Sequence, residues 1–218
     1  MNVAAILAAG GRGERAATLK QFQALGGRPL VRWSLDVLLE AGCDPIVVVA
    51  PFDEIDTARQ AVGRRDIQCV AGGATRGESV RSGLAHIDAE FVTVHDAARP
   101  FVTVEMVKDT AKALERADGA VVGVPMDETL KRAGDETVIE TVDRTNLWRV
   151  QTPQTFRTEL LKRAHEEAAA AGLAATDDAQ LVERVGGRVV IVQGSRLNLK
   201  LTFPEDFALA EAILGLQG

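Results

Sequence analysis

Residues 3–20 read Val-Ala-Ala-Ile-Leu-Ala-Ala-Gly-Gly-Arg-Gly-Glu-Arg-Ala-Ala-Thr-Leu-Lys. The run Val3–Ala9 is apolar throughout and of strand length, which suits a strand covered on both faces. It ends abruptly in Gly10, Gly11 and Gly13. Glycines there let the backbone turn tightly and approach a ligand without a side chain in the way. Arg12, Arg15 and Lys20 follow, and a polyphosphate needs its charge neutralised at several oxygens at once. A glycine turn after a first strand also occurs for topological reasons alone, so charge is the discriminating feature. Residues 1–32 hold five Lys or Arg (Arg12, Arg15, Lys20, Arg28, Arg32) against the single acid Glu14, while the whole chain is at −6. That local reversal of sign beside the turn points to an anion site.

Outward from this segment, short valine-rich runs alternate with helical patterns. Strands are expected at Val3–Ala8, Ile46–Ala50, Ile67–Val70, Phe91–His95, Ala120–Val124 and Val189–Val192. Pro29 suits a first helical turn, and Val31, Leu35 and Leu38 repeat at helix spacing up to Gly42. Further helices are expected over 53–62, 77–87, 104–117, 158–171, 177–185 and 205–215, the last placing Leu209, Ile213 and Leu216 on one face. The alternation predicts an α/β fold: a doubly wound, mostly parallel, Rossmann-like sheet. Residues 126–148 interrupt it and read as a hairpin, with Glu128–Arg132, a turn at Ala133-Gly134-Asp135, and Thr137–Val142. Few large apolar side chains lie on it, so it cannot bury much alone. A protruding β-arm that meets a partner is the expectation, since Ile139, Val142, Leu147 and Trp148 offer apolar contact. Trp33 and Trp148 read as packing residues. The length of 218 residues suits a single domain, and one is expected over 1–218.

The bulk numbers exclude several classes. A net charge of −6 and a pI near 5.2 argue against nucleic acid as the main partner. The apolar runs are far shorter than the roughly 18 residues of a membrane span, and no basic region precedes the first of them as in a secretory signal. Cys43 and Cys69 lack metal-ligand spacing and suit a reduced, cytoplasmic protein. His86, His95 and His165 form no zinc pattern. No metal ligand set is expected from the chain.

In open α/β sheets ligands bind beyond the carboxyl ends of the strands. After the first strand stand the glycines with Arg12, Arg15 and Lys20. After Val70 come Gly72, Gly73, Thr75, Arg76 and Ser79. After Val94 comes His95-Asp96-Ala97-Ala98-Arg99-Pro100. Periodicity places these clusters at one edge of the sheet.

The same residues carry a family resemblance. In order they are Ala8-Ala9-Gly10, Gly13-Glu14-Arg15, Lys20-Gln21-Phe22, Gly72-Gly73 with Arg76 and Ser79-Val80, and His95 to Pro100. Thr129-Leu130-Lys131 and Thr141-Val142-Asp143-Arg144 follow on the arm, then Thr152 to Phe156, Thr176-Asp177-Asp178, Asn198-Leu199-Lys200 and Pro204-Glu205-Asp206. The chain resembles the 2-C-methyl-D-erythritol 4-phosphate cytidylyltransferases of the non-mevalonate isoprenoid pathway over almost its whole length. The resemblance implies that CTP and the polyol phosphate give a cytidine diphosphate sugar alcohol and pyrophosphate. It also implies Mg2+ held mainly by the CTP phosphates, and a homodimer joined through the arm.

Residue by residue, the resemblance implies that Arg15, Lys20 and Lys200 are catalytic, with Arg15 and Lys20 countering charge at the α-phosphate and on the leaving pyrophosphate. Ala8, Ala9, Gly10, Gly73, Ser79, Asp96 and Ala97 would bind the nucleotide. Arg99, Thr129, Arg144, Thr152, Thr176 and Lys200 would bind the polyol phosphate, Thr129 and Arg144 from the partner's arm. The loop departs from the family pattern: Leu19 stands where proline usually precedes the lysine, and Gly11-Arg12 looks like one inserted residue. Ala74 replaces an acid that some relatives carry. No fused cyclodiphosphate synthase domain is expected.

Rival readings are a cytidylyltransferase for ribitol 5-phosphate or a related polyol phosphate, an enzyme using another base, a dinucleotide-binding dehydrogenase, and a nucleotide sensor. The dehydrogenase lacks the full GxGxxG spacing. A sensor has no use for the leaving-group cations.

Overall fold

The computed structural model describes residues 1–10 and 20–217. In chain order its strands are β1 (Val3–Ala8), β2 (Ala24–Leu25), β3 (Arg28–Pro29), β4 (Ile46–Ala50), β5 (Gln68–Ala71), β6 (Phe91–Asp96), β7 (Gly119–Pro125), β8 (Leu130–Gly134), β9 (Thr137–Val142), β10 (Trp148–Arg157) and β11 (Val189–Gln193). The helices are α1 (Leu30–Glu40), α2 (Ile55–Val62), α3 (Arg76–Leu84), α4 (Val104–Ala113), α5 (Thr158–Ala170), α6 (Asp178–Arg184) and α7 (Pro204–Gln217). Seven strands form one sheet in the order β11-β7-β10-β6-β1-β4-β5.

Strand alternation splits the core into two layers, as expected for a doubly wound sheet. Val3, Ala5 and Leu7 of β1 face Val31, Leu35 and Leu38 of α1 and Met106 and Val107 of α4. Ala4 and Ile6 face the other way, toward Val80 and Leu84 of α3 and Leu161 and Ala164 of α5. Helices on both faces explain why β1 and β4 carry no polar side chain.

β10 departs from the expected strand set. It runs antiparallel between β6 and β7, pairing Thr155 with Thr93 and Val150 with Gly123. The register shifts between Gln151 and Gln154, around a cis Thr152-Pro153 bond. Proline cannot donate to a ladder, so an interior strand bulges where it stands. The strand's polar side chains are satisfied internally: Thr93, Thr155 and Thr110 form a buried hydroxyl chain with both links at 2.8 Å. Polar residues and a proline hide such a strand from a search for apolar runs.

The hairpin β8–β9 has the expected place, with Leu130 opposite Val142. Its turn lies at Asp135 and Glu136, both at positive φ, one residue beyond the expected Ala133-Gly134-Asp135. Val138 and Ile139 are exposed. The last helix differs from expectation. It docks through Phe207, Ala210 and Leu214 onto Leu25, Leu30 and Leu201, while Leu209 and Leu216 face solvent. A neighbouring apolar stripe wins because the small Ala210 lets the helix approach closely. Trp33 packs there, with its Nε1–H donated to the Leu25 carbonyl at 3.0 Å. Among the described residues no helix is long and apolar enough to cross a membrane.

Candidate active site

The chain leaves β1 for β4 and β5 on one side and returns to β6 on the other. That reversal opens a crevice beyond the carboxyl ends of β1 and β6, where open α/β sheets bind ligands. Two clefts of about 220 Å³ each lie there, and they share a wall.

The first cleft is lined by Ala8, Ala9, Gly10, Lys20, Gln21, Arg76, Ser79, Asp96, Ala98 and Lys200. Its floor is backbone. Ala9 donates to Val49 O at 2.8 Å, and its own carbonyl accepts from the Gln21 side chain at 2.7 Å. Buried Ser79 wedges between two strand ends. A Cβ on Gly10 or Gly72 would fall 2.9 Å or 2.5 Å from its Oγ, so both positions require glycine. Ser79 Oγ donates to Thr75 O at 2.9 Å. Thr75 and Glu78 form a capping box at the start of α3. A Cβ on Gly73 would meet that of Glu78 at 2.3 Å, so Gly73 admits the capping turn rather than lining the cleft. Ala97 packs into the core and donates its N–H to Ala8 O at 3.0 Å, and Ala98 reaches the cleft in its stead. Sequence reasoning assigned no role to Gln21, whose neighbours Lys20 and Phe22 carried the motif.

The shared wall is an ion cluster. Arg76 Nε donates to Asp96 Oδ1 at 3.0 Å and its NH1 to Asp178 Oδ2 at 2.7 Å; Lys200 Nζ donates to Asp96 Oδ2 at 2.7 Å. Burial pushes the Asp96 carboxyl up, but Arg76 and Lys200 outweigh it and hold the group well below the usual carboxylate range. Burial likewise opposes the charge of Arg76, and the two flanking carboxylates more than restore it. Lys20 sits nearby on a single 3-10 turn, donating from Nζ to Thr202 O at 3.0 Å. Its pKa is lowered by burial and then by Lys200, with Asp206 opposing. The role of Arg76 becomes visible only here, because Asp178 lies 102 positions away in sequence.

The second cleft is lined by Arg76, Asp96, Arg99, Val150, Gln151, Thr152, Gln154, Thr176, Asp177 and Lys200. It therefore gathers four of the expected polyol-phosphate residues: Arg99, Thr152, Thr176 and Lys200. Arg99 NH1 donates to Asn198 O at 2.9 Å, and its buried Nε has no hydrogen-bond partner among the described residues. An unpaired buried guanidinium N–H is costly unless an anion meets it.

His95 holds this corner. Arg99 O can only accept, so in the neutral ring His95 Nε2 carries the proton and donates to it at 3.2 Å. Nδ1 then accepts from Thr152 Oγ1 at 3.0 Å, while that hydroxyl accepts from Asp96 N–H at 3.1 Å. Burial pushes His95 down to about 4, with Asp96 opposing. The unfolded chain then binds the extra proton first as pH falls. Stability is full above the ordinary value of 6.5 and is lost as pH falls toward 4. Between pH 7 and pH 5 this one group removes about 2 kcal/mol. Chemical denaturation across that range should show the loss, and His95→Asn should flatten it; an unchanged slope in the variant would assign the acid sensitivity elsewhere.

Some expected residues are not brought in. Thr129 and Arg144 lie on the exposed arm outside both clefts, where Arg144 donates to Asp127 O of its own hairpin. Arg12 and Arg15 lie outside the described residues. Among those described, no group of three or more His, Cys, Asp or Glu could hold a metal ion.

The chain is similar in sequence and in fold to known proteins. Residues 3–216 match the family described as IspD: 2-C-methyl-D-erythritol 4-phosphate cytidylyltransferase. The enzyme of that name from Bacillus velezensis is 44% identical over 98% of this chain and 96% of its own. Among solved structures, the 4-diphosphocytidyl-2C-methyl-D-erythritol synthase of Anaerococcus prevotii superposes with a TM-score of 0.87 at 30% identity, covering 98% of this chain and 96% of that one. The 2-C-methyl-D-erythritol 4-phosphate cytidylyltransferase of Thermus thermophilus gives 0.84 at 34%, covering 99% and 100%. With a matching sequence over nearly its full length and a matching fold, the chain belongs to the 2-C-methyl-D-erythritol 4-phosphate cytidylyltransferase family.

Proposed function

We infer that this chain joins CTP and 2-C-methyl-D-erythritol 4-phosphate to give 4-diphosphocytidyl-2-C-methyl-D-erythritol and pyrophosphate, in isoprenoid precursor synthesis. The observation that carries the reading is the pair of clefts sharing the Arg76–Asp96–Lys200 wall. Two substrates that must meet at one phosphorus need such a common boundary. An oxygen of the polyol phosphate attacks the α-phosphorus, a new P–O bond forms, and the bond to the β-phosphate breaks. Pyrophosphate leaves with the electron pair. The nucleophile is already ionised, so the protein needs no general base, only alignment and charge stabilisation.

In this reading Ala8, Ala9, Gly10 and Ser79 shape the cytidine pocket. Lys20 and Arg15 counter the charge on the triphosphate, and Lys200 stands between the two phosphates. Arg99, Thr152 and Thr176 receive the polyol phosphate. Mg2+ would arrive on the CTP phosphates and neutralise part of their charge. An ion held mainly by phosphates and water needs one or two carboxylates at most, and Asp96 is the one both clefts share. The free thiols Cys43 and Cys69 suit work in the cytoplasm.

Pyrophosphate release across a grid of nucleoside triphosphates and polyol phosphates tests the reading. CTP with methylerythritol phosphate should be the fastest pair. No release from that pair would overturn it, and a faster rate with ribitol 5-phosphate would select the rival substrate.

We also propose a homodimer in which each arm supplies Thr129 and Arg144 to its partner's second cleft. The support is the arm itself, whose apolar Val138 and Ile139 lie exposed and whose Arg144 lies outside its own chain's clefts. Arg144→Ala should raise the KM for the polyol phosphate roughly 10–100-fold, as expected for one charge-assisted hydrogen bond, with kcat little changed. Mixing Arg144→Ala with Lys20→Ala subunits should restore one intact site per mixed dimer. No recovery on mixing would place the arm in its own subunit's site.

A further inference from the structure

His165, on α5, lies outside both clefts and is buried. Its Nε2 is 2.9 Å from Asp178 Oδ1. Burial raises the Asp178 pKa, and Arg76 and His165 more than reverse that, so its carboxylate is ionised and can only accept. The Nε2 must therefore carry the proton and donate it. The other oxygen of Asp178 accepts from Arg76 NH1 at 2.7 Å, and Arg76 Nε in turn holds Asp96, which holds Lys200. Each carboxylate is gripped at both oxygens by a different donor. The chain of contacts runs from α5 through the first turns of α6 and α3 to the end of β6 and on to Lys200, a residue both clefts share.

Asp178 is 1% exposed and each of its oxygens is held by a side-chain donor, so its orientation depends on both of them. Without the His165 N–H, the carboxylate is free to turn toward Arg76 with both oxygens. Arg76 would then follow it and release its grip on Asp96. We propose that His165 is a positioning residue for nucleotidyl transfer: through Asp178 and Arg76 it sets where Asp96 and Lys200 stand between the two substrates. The proposal rests on the cytidylyltransferase reading of the clefts. It separates His165 from ordinary core residues, whose replacement lowers stability and leaves the folded enzyme's turnover alone.

The test uses the full chain with CTP and methylerythritol phosphate. His165→Leu removes the donor at similar volume, and His165→Gln can place an amide N–H where Nε2 stands. Both are first checked by thermal melting for a cooperative fold. In folded His165→Leu, kcat should fall tenfold or more while the KM for CTP stays within threefold, because the cytidine floor is built from Ala8–Gly10 and Ser79. His165→Gln should recover most of that loss. A smaller fall in His165→Leu, or an equal fall in His165→Gln, overturns the proposal. If His165→Leu does not fold, His165→Met, which also lacks the donor, is held to the same tenfold threshold. The parent run alongside separates the two readings: an inactive parent rejects the cytidylyltransferase reading, and an active parent with an unimpaired variant rejects only the role of His165.

Discussion

Lys20→Ala should lower kcat about 10²–10³-fold and leave the KM for CTP within a few-fold. The magnitude is that of removing one preorganised donor from developing charge, about 3–4 kcal/mol. Lys20 enters the first cleft on a one-turn 3-10 helix, anchored from Nζ to the Thr202 carbonyl at 3.0 Å. Burial and the neighbouring Lys200 both disfavour its charge in the free protein. A cation under that repulsion gains most when negative charge builds between the two lysines, which happens as pyrophosphate departs. Folding stability should change little, because removing Lys20 also removes the repulsion. Lys20→Arg should not restore the rate, since a planar fork cannot occupy the point-charge position against Thr202 O. Steady-state kinetics with varied CTP decides it: an unchanged kcat removes Lys20 from the mechanism.

Asp96→Asn should impair both folding and turnover. Among the described residues it leaves Arg76 with Asp178 alone and Lys200 with no carboxylate. Breaking a buried pair by removing one partner typically costs about 3–5 kcal/mol. Lys200 has a side chain 45% exposed and is partly rescued by water, so about 2–3 kcal/mol is expected here. The pH dependence gives the sign. The Asp96 pKa is depressed on folding, so its stability is present above the ordinary carboxylate value and is lost as pH falls through the folded one. The gap between parent and variant should be constant near neutrality and should narrow below about pH 4. Turnover should fall about 10²-fold, the cost of misplacing a charged group by an ångström between two reacting substrates. Denaturant titrations at several pH values, with kinetics on the same samples, check both. Equal stability of the two proteins at pH 7 would mean that the cluster contributes nothing to the fold.

Both predictions concern residues that the sequence already marked. Lys20 and Asp96 follow predicted strands, and strand ends are where an α/β sheet keeps its chemistry. The uniformly apolar strands β1 and β4 were legible for the same reason, since burial on both faces leaves a run of Val, Ile, Leu and Ala. β10 was not legible. Its side chains satisfy one another across the sheet through Thr93, Thr155 and Thr110, so polarity there reports pairing rather than exposure. The docking face of α7 was misread because Leu209, Ile213 and Leu216 form a plausible stripe beside the one used. Only the position of Leu25, Leu30 and Leu201 selects Phe207, Ala210 and Leu214.

By itself the sequence determined the layered α/β fold, the edge of the sheet that carries the site, and the family. These follow from periodicity and from ordered local motifs, which need no knowledge of distant contacts. Only the tertiary structure decided how the site is wired. Arg76 meets Asp178 across 102 positions and Lys200 meets Asp96 across 104, and it is these pairings that divide the crevice into two clefts. Side-chain pairing at that separation is set by how the helices dock on the sheet. No local pattern encodes it, because each residue's own neighbours in sequence are equally compatible with a solvated loop.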